Sequence, residues 1–259
     1  MARGDVGLPI WARPEPGSRR PRFSRDQIAR LALEIADAEG FDAVSMRRLA
    51  AELGAGTMSL YHYVATKDDL VALMDDALMA EALIPEGEMP PGWREALSEV
   101  ARRTRAALVR HPWALVALQE SQFGPNAMRH FEQSLAAVAG TGLEPSAKFE
   151  LLALVDDYVF GNVLHTAEAK KRAAIAKANP EMVKALIELG TAQVQSGAFP
   201  HIAALFAGAV TGDGAEVSPG PALDESTLTR QFESGLQAVL DGAASQMGIP
   251  RSARRHKRT

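Results

Sequence analysis

Val44-Ser45-Met46-Arg47-Arg48-Leu49-Ala50-Ala51-Glu52-Leu53-Gly54, followed after Ala55-Gly56 by Thr57-Met58-Ser59-Leu60-Tyr61-His62-Tyr63-Val64, is the stretch whose reading decides the fold. Ser45 stands where a hydroxyl caps the next helix, and Leu49, Ala50 and Leu53 recur at the spacing of one buried helical face. Gly54-Ala55-Gly56 predicts a tight turn, because glycine reaches backbone angles that other residues avoid. A second short helix then runs from about Thr57 to Tyr63, with Leu60, Tyr63 and Val64 facing inward. That leaves Thr57, Met58, Ser59, Tyr61 and His62 pointing outward, with no acid among them.

The flanks brace this pair. Upstream, Ser24 with Gln27 has the spacing of a capping box and Phe23 can staple against Ile28, opening a helix that buries Ile28, Leu31, Ala32 and Ile35 and stops at Gly40. Downstream, Thr66 with Asp69 repeats the pattern and opens a helix through Leu70, Leu73, Met74, Ala77 and Leu78 to about Ile84. Two short helices joined by a glycine turn between two longer ones make a helix-turn-helix, an arrangement that reads DNA by laying its second helix in the major groove. The outward hydroxyls and the imidazole suit base edges or phosphates, and Met58 suits a thymine methyl. Ser45, Arg47 and Arg48 at one helix start and Lys67 at another are placed to hold phosphates.

Taken together, the Val44–Gly54 stretch, Ser59-Leu60-Tyr61-His62-Tyr63-Val64 and Lys67-Asp68-Asp69-Leu70 resemble the DNA-binding domain of the TetR (tetracycline-repressor) family over about Ser24 to Leu78. The resemblance implies that Arg47, Thr57, Met58, Ser59, Tyr61, His62 and Lys67 meet double-stranded operator DNA. It also implies a regulator, most commonly a repressor, that works as a homodimer.

The remainder reads as helix throughout, Ala- and Leu-rich, with no period-two stretch, so the fold class is all-α. Pro85 to Gly92 interrupts it and predicts a boundary between a helix-turn-helix domain at 23–84 and a larger helical domain at 92–247. Helices are expected near 93–109, 112–122, 125–140, 145–178 and 181–196, then a loop from Gly208 to Pro221 and a last helix from Ser226 to about Met247. Arg110-His111-Pro112-Trp113, Gly124-Pro125-Asn126 and Asp157-Tyr158-Val159-Phe160-Gly161 resemble, more weakly, the ligand-binding and dimerisation domain of tetracycline-repressor-type regulators. That likeness implies a cavity for a small, largely apolar effector that releases the repressor from a palindromic operator, and a dimer formed by the 145–178 and 226–247 helices. The expected effector contacts are Trp113, Gln119, Phe123, Phe131, Tyr158, Asn162 and His165, with Leu118, Gln122, Asp156, Phe160 and Phe199 as further lining. Leu228, Phe232, Leu236, Val239 and Leu240 form a stripe that reads as surplus to one subunit, hence as interface.

Charge is distributed unevenly. The net of −4 over 259 residues hides six Arg in residues 1–25 and five Arg or Lys in 251–259. With these set aside, residues 26–250 hold 17 basic against 30 acidic side chains, a net of −13, so a polyanion must be met at local basic positions. Residues 1–22, rich in Pro, Gly and Arg, read as a flexible basic arm able to enter a minor groove, and 248–259 as a basic tail. No apolar run suits a membrane span or secretory leader, which places the chain in the cytoplasm. There is no cysteine, no Gly-rich phosphate loop, no His-Glu-x-x-His pair and no nucleophile elbow, and adjacent Asp75-Asp76 or Asp156-Asp157 diverge around a helix. No catalysis, cofactor or metal is therefore expected. The alternative reading is a helical small-molecule-binding protein without a DNA function.

Overall fold

The computed structural model describes residues 8–15, 23–117, 123–206 and 224–250. Among these no strand occurs, as the all-α reading requires. The helices are α1 (Arg25–Glu39), α2 (Met46–Glu52), α3 (Thr57–Leu60), α4 (Lys67–Ala82), α5 (Trp93–Arg110), α6 (Ala114–Ala117), α7 (Pro125–Ala137), α8 (Pro145–Ala178), α9 (Pro180–Gln195), α10 (Pro200–Phe206) and α11 (Glu225–Met247). The helix α10 had no counterpart in the sequence reading, and the expected Gly208–Pro221 loop lies outside the described residues. The chain divides into two compact units, Met1–Leu164 with Gly235–Thr259, and His165–Ser234. Pro85–Gly92 does break the helices, but α4 packs on α5 and α7 across it, so both sides belong to the first unit.

Local chemistry sets the helix ends. Ser24 Oγ accepts from Gln27 N at 3.1 Å while Ser24 N donates to Gln27 Oε1 at 3.0 Å, so two orphan amides are satisfied reciprocally. Thr66 and Asp69 do the same for α4. The end of α2 is a Schellman motif: Ala55 N donates to Ala50 O, Gly54 N to Ala51 O, and Gly54 sits at φ 59°.

The amino-terminal segment departs from the expected arm. Ile10–Ala12 forms a turn of 3₁₀-helix, Ile10 is wholly buried in the core of α1, α2 and α4, and Trp11 packs against that core. Arg13 forms a buried ion pair with Asp69, whose other oxygen receives the amides of Ala65 and Thr66 at 3.0 and 3.1 Å. Arg25 donates to the carbonyls of Ile10 and Arg13, both at 2.9 Å, and through Nε to Tyr63 O at 3.2 Å. Residues 8–15 are thus a clasp across the core; the remaining positions of the arm, and the 251–259 tail, lie outside the described residues.

The last helix requires a second correction. Leu228, Phe232, Leu236 and Leu240 of α11 are at most 4% exposed in a single chain, so the stripe is core and cannot also be the dimer face. Exposed apolar side chains lie elsewhere, among them Leu154 and Ile175 on α8 and Leu186 and Leu189 on α9.

Candidate functional site

The glycine turn after α2 sets the next residues with one face inward. Leu60, Tyr63 and Val64 are buried, Tyr63 meeting Phe23 edge-on at 6.0 Å. Regular helix ends at Leu60, but Val64 N still donates to Leu60 O at 3.0 Å, so the winding continues to the expected end. Met58 is 75% and Tyr61 41% exposed, His62 is exposed, and Thr57 and Ser59 are half-buried beside them. Ser45 accepts from Arg48 N at 3.2 Å as the cap of α2. Exposed Arg47 has no ion pair or side-chain hydrogen bond among the described residues. Arg48 differs: its guanidinium binds Glu39 at 2.8 Å and Glu52 at 2.5 Å, and these two bonds, that to Glu39 first, raise its pKa further. Lys67, exposed at the first turn of α4, holds its ammonium 5.4 Å from the centre of the Phe41 ring.

From this face α4 runs inward to a cavity of about 710 Å³. Asp75, Leu78 and Met79 of α4 line it, opposite Phe123, His130, Phe131, Asp156 and Phe160. The next residue, Asp76, caps α7: Oδ1 accepts from Asn126 N at 2.7 Å and Ala127 N at 3.1 Å, and Oδ2 from the Asn126 amide at 2.8 Å. A carboxylate at a helix N-terminus meets both free amides and the positive end of the dipole. Gly124 makes this approach possible, since a Cβ there would overlap Asp76. Gln133 adds a second tie, exchanging hydrogen bonds of 3.0 and 2.7 Å with the backbone of Ile84. Near the end of α4, Glu81 binds Arg110 and lies 3.3 Å from His111 Nε2, while His111 Nδ1 is 2.7 Å from Asp37 of α1.

Two of the seven expected effector contacts, Phe123 and Phe131, line the cavity, as do Asp156 and Phe160 from the wider set. Trp113 does not. Its indole stacks on Phe41 at 5.6 Å and donates to Asp37 at 2.8 Å, so it seals the DNA-side core. Tyr158 packs with its hydroxyl against Gly235 of α11, where a Cβ would overlap it. Asn162 is held by Arg105 Nε at 2.8 Å, and exposed His165 and Phe199 are not among the lining residues. Leu118, Gln119 and Gln122 lie outside the described residues. Sequence reasoning missed His130 and Thr104. Both face the cavity from helix positions that carry no signal in the pattern of apolar residues.

Residues 86–247 match the family model described as "Tetracyclin repressor-like, C-terminal domain", more than half of the chain, and residues 28–74 match "Bacterial regulatory proteins, tetR family". The chain belongs to the TetR family. This TetR-family chain is 36% identical over 234 residues to the HTH-type transcriptional repressor DrrR1 of Streptomyces coeruleorubidus, covering 89% of this chain and 80% of that one. An HTH-type transcriptional regulator of Saccharopolyspora erythraea is 37% identical over 176 residues, covering 65% of this chain and 74% of the relative. Among solved structures, the TetR family protein ActR of Streptomyces coelicolor, crystallised in complex with actinorhodin, superposes with a TM-score of 0.64 at 29% identity, covering 87% of this chain and 97% of that one. The protein is accordingly a TetR-family DNA-binding regulator, and no helix among its described residues is long and apolar enough to cross a membrane.

Proposed function

We propose that the protein is a homodimeric cytoplasmic repressor, without catalytic activity, released from a palindromic operator when a small effector enters the cavity. The observation that carries this reading is α4, one helix with Lys67 at the DNA face and Asp75, Leu78 and Met79 in the cavity wall. In this reading Thr57, Met58, Ser59, Tyr61 and His62 enter the major groove, while Ser45, Arg47 and Lys67 hold phosphates. Arg48 belongs to the same contact surface but must exchange Glu39 or Glu52 for a phosphate, so it contributes less than Arg47. A short recognition element reads few base pairs, and two-fold pairing doubles the contact. Leu154, Ile175, Leu186 and Leu189, apolar and exposed, support burial against a second copy.

The effector touches no DNA. It acts by favouring the arrangement of α4 that separates the two reading heads wrongly, and Asp76 and Gln133 make that arrangement depend on the cavity wall. A preference of about 1–3 kcal/mol weakens operator affinity roughly 5- to 150-fold, and operator must weaken effector by the same factor. Calorimetric titration of effector with and without operator DNA tests this directly; identical affinities would sink it. A protein that bound ligand in the cavity and retarded no promoter DNA in a gel would instead be a sequestering protein.

A further inference from the structure

The cavity is walled by aromatic and aliphatic side chains, and Asp156 of α8 faces it. Among the described residues that line it none is Lys or Arg. His130 does not balance the Asp156 charge. The Thr104 hydroxyl donates to Val100 O at 2.9 Å and so accepts, at 2.8 Å, from His130 Nε2, and burial lowers the pKa of His130, keeping the ring neutral. Among the described residues that line the cavity Asp156 has no counter-ion, and Asp157 adjoins it on the same helix. Asp156 keeps an exposed edge, and partial loss of solvent around its carboxyl, with the charge of Asp157 second, pushes it up to about 6, so it is ionised at neutral pH and an entering ligand either removes more of its water or replaces that water with a counter-charge. An anion would bring a charge of the wrong sign. A neutral apolar ligand would strip water from the carboxylate and put nothing in its place.

We propose that this cavity takes a flat aromatic ligand carrying a protonated nitrogen, with Asp156 as its counter-ion. The inference rests on the cavity being the effector site. Phe123 and Phe131 meet edge to face at 6.1 Å and Phe123 is 63% exposed, so the Phe123 ring is open for stacking and for contact with a delocalised cation. The volume of about 710 Å³ accommodates several fused rings.

The test uses the full-length protein without DNA and two probes of matched size: 9-aminoacridine, a three-ring cation at neutral pH, and acridone, its uncharged counterpart with a carbonyl. The wild-type protein should prefer the cation by roughly ten- to a hundredfold, the worth of a charge-assisted hydrogen bond. Asp156→Asn should bring the two probes to equal affinity and Asp157→Asn should not. The preference should shrink below about pH 6, as Asp156 takes up its proton. Equal affinities in the wild type, stronger binding of acridone, a preference that survives in Asp156→Asn, or no binding of either probe would each overturn the proposal. Gly161→Phe, at a lining position with open space around its would-be Cβ, narrows the cavity and should weaken both probes. If both bound that variant as tightly as the wild type, the cavity would not be their site, and the effector-site reading itself would fall.

Discussion

At the scale of single residues, charge and exposure separate positions that the sequence groups together. Lys67→Ala should weaken binding to every DNA sequence about equally and lower the salt slope by about one unit, whereas Tyr61→Ala should cost about 1–3 kcal/mol on the operator and relax the preference at one base pair. Filter binding across a salt series distinguishes the two. The inward and outward faces of residues 57–64 were legible because helical spacing alone fixes them. The cavity contacts were not: Trp113, Phe123 and Tyr158 are all aromatic residues on helical segments, and only the path of neighbouring helices decides which one meets open space. Asp156 carries a pH signature of its own. Its pKa is raised from 3.8 to about 6 in the fold, so ionisation disfavours the folded state as pH rises through that window. Asp156→Asn should therefore raise the melting temperature near pH 8 and give no gain near pH 4; a gain of equal size at both would dissociate the effect from the charge.

At the scale of elements, capping chemistry was the most readable feature and the clasp the least. Ser24 with Gln27 and Thr66 with Asp69 announce their helices because each box is a local pattern four residues long. Ile10 sits in a single 3₁₀ turn among prolines and arginines, too short to show a period, and the ties of the clasp reach 12 to 56 residues along the chain, from Ile10 and Arg13 to Arg25 and from Arg13 to Asp69. Removal of residues 1–15 is expected to lower the melting temperature. Ile10→Ala alone, at a site with no exposure, should cost about 2–5 kcal/mol. Unchanged thermal unfolding in either variant would return the segment to the status of a dispensable arm. The joint between α4 and α7 is a comparable case. Asp76→Ala leaves the buried Ala127 amide and the half-buried Asn126 amide without a partner and should cost about 1–3 kcal/mol, measurable by denaturant unfolding.

For the whole molecule, the fold class and the helix-turn-helix could be read from the sequence, because periodicity and turn chemistry are local. The interface could not. An apolar stripe on α11 looks the same whether it meets its own chain or a second copy, and here Phe232 and Leu236 are core. Phe232→Glu should consequently unfold the protein, whereas Leu154→Glu, on the exposed part of α8, should leave a folded monomer. Light scattering combined with circular dichroism separates the outcomes, and a folded dimer in Leu154→Glu would move the interface off that face.

Asp76 and Gln133 grip their partners chiefly through main-chain groups, the amides of Asn126 and Ala127 and the peptide of Ile84. Main-chain contacts do not depend on which side chains surround them. The cavity wall, Phe123, Phe131 and Phe160 above all, can therefore change its chemistry while the joint between α4 and α7 stays as it is. Descendants of this chain can acquire new inducers without relearning how to let go of DNA, and a library randomised at those three phenylalanines would be a direct route to made-to-order biosensors.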